Sequence, residues 1–535
     1  MSIIAIFLVR MLYFCNIFLC FAGVNLLAKV KSSAIEGVDA YIIDVEVDIS
    51  YGLPAFHIVG LAEVSVRESR ERVRAAVNNS GYTFPPDKVV VNLAPADIKK
   101  ETTGLDLPLA MGILASSNSV SENSLEGYLF TGELSLDGMV KPVKGVLPAV
   151  LAARANRYKG VVIPYENRLE ASMVDGIDII AVRSLSEVVD FFLGFLAIDP
   201  LPADREDFLH RINEFEIDFE DVRGQNHARR AIEVAAAGGH NIMMTGPPGS
   251  GKSMMARRIP TILSPMSFEQ AIEVVKIYSV AGVMADGRSF SVGKPFRAPH
   301  HTISDAGLVG GGKRPGPGEA SLAHKGVLFL DELPEFRKNA LEALRQPLED
   351  GGITISRAGV TACFPADFML VAAMNPCPCG FLDDPSGRCS CSGSQIQKYR
   401  SRLSGPLMDR IDIQVEVPRV SYTELSGQSG RSESSAAIRE RVMGAVGIQE
   451  RRFEGLDVSS NSGMDTKSVK RWCRLDKEGD SIIERAVESL GLSARAYTRI
   501  LKIARTIADL ENNSTITSGH VAEAIQYRSL DRHIN

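Results

Sequence analysis

The chain has 535 residues, 45% of them hydrophobic and 23% charged, which excludes disordered, collagen-like and mucin-like classes. That length suits about three to four domains. Lys and Arg total 59 against 65 Asp and Glu, a formal charge of −6, so any nucleic-acid contact must come from a local basic patch.

Residues 1–25 differ from the rest. They read "MSIIAIFLVRMLYFCNIFLCFAGVN", with Arg10 the only charge before Lys29. Arg10 and Asn16 interrupt what would otherwise pass for a membrane helix, and the uncharged start does not suit a secretory signal. The expected reading is a start placed too early, with the protein proper beginning near Leu26 or Leu27. A membrane anchor and a cleaved signal are the alternatives.

Residues 26–195 alternate strand-like and helix-like runs, as in an α/β domain. "AYIIDVEVDIS" has the period-two pattern of a strand, and "KVVVNLAP" is a short buried strand. "SVRESRERVRAAVNNSG" is an Arg-rich helix ending at Gly81, while "LDLPLAMGILASS" and "VLPAVLAARAN" read as buried helices. Residues 196–222 are acid-rich with two prolines and read as a linker that becomes a solvated segment. Residues 223–418 form a second α/β domain, residues 419–434 a Ser/Gly-rich mobile linker, and residues 435–535 a helical domain. There, Ser493 is the expected N-cap of "ARAYTRILKIARTIADL".

The second domain carries the chemistry. "NIMMTGPPGSGKS" is an apolar strand followed by Gly246, Pro247, Pro248, Gly249, Ser250, Gly251, Lys252 and Ser253, a complete phosphate-binding loop. Its glycines let backbone N–H groups face phosphates. Lys252 is expected at the terminal phosphates of ATP and the Ser253 hydroxyl at Mg²⁺. The apolar strand "GVLFL" delivers Asp331 and Glu332 at the end where open α/β sheets bind ligands. Asp331 is expected to hold Mg²⁺ and Glu332 to polarise the attacking water. "FMLVAAMN" ends in Asn375, suited to orienting that water.

Arg410 lies between Asp409 and Asp412, as a finger offered to a neighbouring subunit or as an intrachain ion pair. A finger is worth about 10³–10⁵ in turnover. Arg495, at the start of the C-terminal amphipathic helix, could point back to the γ-phosphate.

Four of the eight cysteines fall within fifteen positions. Cys377 and Cys379 are separated from Cys389 and Cys391 by a loop with Gly380, Pro385 and Gly387. Two C-x-C pairs could close one Zn²⁺ site, or they could be reduced thiols beside Asn375. Cys363 and Cys473 read as ordinary buried thiols.

The runs "PFRAPHHTISDAGLVGGG", "PGEASLAHKGVLFLDELPEF", "AMNPCPCG" and "SGPLMDRIDI" closely resemble the ComM/YifB family of magnesium-chelatase-like AAA+ ATPases, from about Leu27 to Arg532. The resemblance implies a multidomain α/β protein. It would have a Lon-protease-like N-terminal α/β domain, a P-loop AAA+ core of the chelatase/MCM type and a helical C-terminal lid. It makes Asn375 the sensor-1 residue, Arg410 the arginine finger and Arg495 the sensor-2 arginine. It also implies a homohexamer, and members are linked to helicase-type branch migration on DNA during natural transformation. Family members typically begin at "LAKV".

"GELSLDGMVKPVKGVLPAVLAAR" also resembles the Lon stretch that carries a catalytic lysine, but no lysine follows Gly145 until Lys159, and Gly104 stands where Lon carries serine. A Ser–Lys dyad needs both partners. An ATP-dependent peptidase is therefore disfavoured, and a metal-insertion ATPase is the other alternative to a DNA translocase. The 77 residues between Ser253 and Asp331 hold a run resembling the helix-2 insert of chelatase and MCM rings. His300 and His301 in that run are expected to make hydrogen bonds or phosphate contacts. "GGITISRAGVTACF" reads as a hairpin with strands at 353–355 and 360–363. The resemblance puts insert and hairpin at a central pore, with Arg297, Lys313, Arg314 and Arg357 as candidate DNA-phosphate contacts. The need for ATP points to the cytoplasm, with no stable membrane association.

Overall fold

A computed structural model describes residues 27–60, 64–96, 100, 103–203, 205, 208, 212–284, 293–312, 315–357, 360–382, 387–419, 432–456, 458–490 and 492–528. Residues 1–25, with the readings attached to them, lie outside the described residues, as do Lys313 and Arg314. No helix among the described residues is long and apolar enough to cross a membrane. The described residues fall into two compact units, within Met1–Arg205 and Tyr278–Arg288, and within Glu206–Ile277 and Ser289–Asn535.

The first unit is built on a seven-stranded sheet. Its strands are β1 (Leu27–Glu36), β2 (Asp39–Ser50), β3 (Ala55–Val59), β4 (Lys88–Ala94), β5 (Tyr128–Phe130), β6 (Gly160–Pro164) and β7 (Asp178–Val182), in the order β3-β4-β2-β1-β5-β6-β7. Alternation decides which side of β2 is buried: Ile43, Val45, Val47 and Ile49 point inward and are at most 5% exposed. The expected strands at 40–50 and 88–95 are β2 and β4, and the helices are Val64–Asn79, Asp106–Ser116 and Val146–Ala155. Every residue of Asp106–Ser116 is buried. Asp106 is therefore costly unless paired, and Arg72 grips it through two N–H donors at 2.8 and 3.1 Å while Leu134 N–H donates at 3.2 Å. Strand β1 was not among the expected elements; its pattern of two serines amid apolar residues is closer to mixed than to alternating.

The second unit holds a five-stranded parallel sheet of β8 (Ile242–Thr245), β9 (Phe296–Arg297), β10 (Val327–Leu330), β13 (Met369–Met374) and β14 (Ile413–Glu416), in the order β9-β10-β13-β8-β14. The hairpin strands β11 (Gly352–Arg357) and β12 (Val360–Pro365) pair antiparallel outside that sheet. Strands β8, β10 and β13 are apolar runs buried nearly throughout, which is why side-chain chemistry concentrates at their ends.

C-terminal helices Ser435–Phe453, Thr466–Trp472, Lys477–Leu490, Ala494–Leu510 and Ser518–Gln526 follow; Ser435–Phe453 and Ala494–Leu510 pack on helix Asn226–Gly238, which lies against β14, and one core includes Ile232, Val371, Ile438, Val442, Ile500 and Ile507. Ser493 caps Ala494–Leu510 through its side chain, accepting from Ala496 N–H at 3.2 Å. The acid-rich segment is not solvated to its end: Phe219 and Val222 are buried, and Asp218 Oδ1 accepts from Ser435 N–H at 2.9 Å. Phe208 and Ile212 are buried as well, so apolar residues spaced among the acids dock the segment. Cys473 is buried as expected, but Cys363 is exposed, because it falls on the outward face of alternating β12.

Candidate functional site

The loop after β8 turns where only glycine fits. A Cβ on Gly246 would lie 2.1 Å from the Val417 carbonyl oxygen, and Gly251 has φ of +93°. Helix Lys252–Arg258 follows. Lys252 Nζ donates to the carbonyls of Gly246 at 2.7 Å and Pro247 at 2.9 Å, with Asn375 Oδ1 at 3.4 Å. Burial lowers the Lys252 pKa, opposed by the charges of Asp331 and Glu332. Ser253 Oγ donates to Asp331 Oδ2 at 2.7 Å, and Asp331 Oδ1 accepts from Glu332 N–H at 2.9 Å. The ends of β8, β10 and β13 thus bring together Lys252, Ser253, Asp331, Glu332 and Asn375.

Two neighbours of this cluster were not given these places by the sequence. His301 Nδ1 lies 3.5 Å from Glu332 Oε2, and its ring is tilted 34° to that of His300 with centroids 4.1 Å apart. Gln225 Nε2 donates to the carbonyls of Pro418 at 2.5 Å and Ser250 at 3.4 Å, so it props the phosphate-binding loop from behind. The run "PHHT" was a signal for His301; Gln225 gave none beyond its place before a helix.

Arg410 and Arg495 occur together, elsewhere. They line a cavity of about 750 Å³ with Asp409, Asp412, Arg499 and Lys502, and no described residue of 246–253 lines it. Arg410 ion-pairs with Glu349 and donates to the Pro406 carbonyl at 2.7 Å. Burial lowers the Arg410 pKa, and the charges of Arg345 and Arg495 lower it further. Arg495 is bound to Asp409 at 2.9 Å and is largely exposed. Arg495 thus shares this cavity with Arg410, at the start of helix Ala494–Leu510. Arg499 (3.1 Å from Asp412) and Lys502 follow Arg495 at helical spacing, a stripe readable in the sequence but not singled out there.

The remaining expected contacts divide. Arg297, on β9, is forked onto Glu319 at 2.6 and 2.8 Å. Arg357 ends β11 opposite Val360. Cys377, Cys379, Cys389 and Cys391 gather with all four sulfurs within 4.8 Å of one another. In the first unit, Gly104 lies in a one-turn helix and Gly145 takes φ of +77° before a helix whose first five residues are buried and apolar. Lys159 is exposed over the Tyr128 ring, and buried Lys100 donates to the Pro95 carbonyl.

Three family profiles match the chain: "Subunit ChlI of Mg-chelatase" over residues 45–167, "Magnesium chelatase, subunit ChlI" over 218–425, and "Magnesium chelatase, subunit ChlI C-terminal" over 432–528. The chain is 43% identical to competence protein ComM of Haemophilus influenzae over 508 residues, 95% of this chain and 98% of that protein. It is 41% identical to the uncharacterized protein YifB of Escherichia coli over 507 residues, again 95% and 98%. A shorter likeness, 30% over 187 residues and 32% of each chain, links it to Lon protease 2 of Bacillus subtilis.

Proposed function

The chain belongs to the ComM/YifB family of magnesium-chelatase-like AAA+ ATPases, and from that we propose that it is a ring-forming ATPase that couples ATP hydrolysis to translocation along DNA or branch migration. One observation carries the reading. Lys252, Ser253, Asp331 and Asn375 converge on one set of strand ends, whereas Arg410 and Arg495 sit in a cavity that none of residues 246–253 lines. An arginine so placed serves a phosphate only if a neighbouring copy brings one to it.

In this reading Lys252 neutralises the β- and γ-phosphates, and Ser253 with Asp331 would hold Mg²⁺. The fit is chemical: a hydroxyl and a carboxylate already 2.7 Å apart are oxygen donors of the kind Mg²⁺ takes. Bound there, Mg²⁺ supplies charge stabilisation at the phosphate oxygens. Glu332 accepts the proton of the attacking water and Asn375 orients it. Arg410 and Arg495 complete the neighbour's site, and six copies closing a ring make every site complete. The DNA partner rests on the competence relative and on the hairpin β11–β12, with Arg357 at the end of β11 as the candidate phosphate contact.

A second reading, ATP-driven metal insertion, has the family profiles' own descriptions behind it. One assay separates the two: ATP turnover with single-stranded, double-stranded and forked DNA. Stimulation by DNA supports translocation. Turnover indifferent to all three DNAs overturns it and leaves metal insertion as the leading reading.

A further inference from the structure

The four clustered cysteines have no part in phosphate chemistry, yet they form a site of definite geometry. Cys377 and Cys379 follow Asn375 at the end of β13. Cys389 and Cys391 precede helix Gly393–Arg400, which Ser392 and Gln395 close with reciprocal cap hydrogen bonds. The Cys377 sulfur is 3.4 Å from that of Cys379 and 3.8 Å from that of Cys389, and Cys379 and Cys389 are 3.7 Å apart. A disulfide needs about 2.05 Å, far shorter than any of these. Four thiolates about 2.3 Å from one tetrahedral Zn²⁺ lie about 3.8 Å apart along each edge; Cys377, Cys379 and Cys389 are 3.4–3.8 Å apart, and Cys391 lies within 4.8 Å of each.

Backbone N–H groups of Phe381 and Ser390 hydrogen-bond to the Cys379 sulfur, that of Cys391 to Cys389, and that of Cys379 to Cys391. Lys398 and Arg402 line a hollow shared with Cys379 and Cys391, and the Arg388 guanidinium stacks 4.8 Å over the Phe381 ring. Lys398 places positive charge beside the sulfurs, while Arg402 is paired with Glu335 at 2.7 Å in the same hollow.

We propose that Cys377, Cys379, Cys389 and Cys391 bind one structural Zn²⁺, and that the closed loop fixes Asn375 against the phosphate-binding loop. Four protein ligands leave no open position for a substrate, so the metal is structural. The clamp follows from contact: a Cβ on Gly380, inside the loop, would lie 2.6 Å from Pro248 Cδ and 3.7 Å from Asn375 Cγ. From the other end, Arg400 donates to the Pro376 carbonyl at 3.4 Å. Any displacement of the loop moves the residues that flank Lys252.

The test uses the full-length chain, purified from zinc-supplemented culture without chelators. Elemental analysis should find about one zinc per chain, and a mercurial thiol reagent should release it stoichiometrically. The Cys389→Ser/Cys391→Ser chain should hold less than about a tenth of that. Zinc-free wild-type protein, or a double variant with its full complement, overturns the site; wild-type release decides the matter alone if the variant does not fold. For the clamp, hydrogen exchange on zinc-stripped wild type should rise over 376–392 and also at Asn375 and 246–251. A rise confined to the cysteine loop overturns the clamp. Neither readout involves ATP turnover, so failure here is distinct from failure of the ATPase reading.

Discussion

The imidazole Nδ1 of His301 lies 3.5 Å from the Glu332 carboxylate, so the residue proposed to activate water is touched from within the 77 residues that separate Ser253 from Asp331. Glu332 itself has φ of +53°, a left-handed conformation uncommon for a residue with a side chain, and its carboxylate is half exposed. A carboxylate with so little packing around it takes its direction from its polar neighbours. His301→Ala should lower kcat about tenfold, or about 1.4 kcal/mol in barrier, and leave KM unchanged. His301→Gln, which keeps a donor, should recover most of the loss. Unchanged kcat in His301→Ala would remove the histidine from the site.

Phosphate binding and water activation rest on different residues. Lys252→Ala should abolish ATP binding, measured with a fluorescent nucleotide, while Glu332→Gln should bind ATP normally and turn over less than about a hundredth as fast. Normal steady-state hydrolysis in either chain would refute the assignment.

Arg410 is shared out differently. If it serves a neighbour's phosphate, mixing Arg410→Ala chains with Lys252→Ala chains should restore hydrolysis at the mixed interfaces, since each interface with one intact finger and one intact loop is complete. Co-assembly without rescue at any ratio would confine Arg410 to its pair with Glu349.

DNA binding at the hairpin should depend on salt. Each phosphate neutralised contributes about 0.7–0.9 to the slope of log K against log salt concentration. Arg357→Ala should weaken binding to all DNA sequences alike and flatten that slope, with basal ATP turnover kept. Unchanged slope and unwinding would take β11–β12 out of the DNA path.

Stability of the C-terminal helices turns on Asp509. Its carboxylate is fully buried and accepts from Arg452 at 2.7 Å, Arg505 at 3.1 Å and Asn461 at 2.8 Å. Asp509→Ala leaves two buried guanidinium groups short of their anion and should cost about 3–5 kcal/mol. Trp472, the chain's single tryptophan, has its ring 6.0 Å from Arg452, so its fluorescence should report a lowered denaturant midpoint. A shift no larger than that of a surface alanine substitution would show that the network carries little.

The sequence by itself determined what is local. The spacing Gly246 to Ser253, the apolar run into Asp331 and the alternation along β2 each depend on residues a few positions apart, where backbone sterics and burial leave one outcome. The cap at Ser493 is of the same kind, one side chain and one N–H three residues on. Only the tertiary structure decided which distant groups meet. Arg495, at the start of its helix, shares a cavity with Arg410, and no periodicity within the helix could say so. The acid-rich segment ends in the core because Phe219 finds a buried place beside Ser435, 216 positions away. Cys363 is exposed through the pairing of β12, and the four clustered thiols come within 4.8 Å of one another only once their loop is folded between β13 and the capped helix Gly393–Arg400. Long-range contacts are paid for in chain entropy and chosen by the whole packing, so a reading of neighbours along the chain does not contain them.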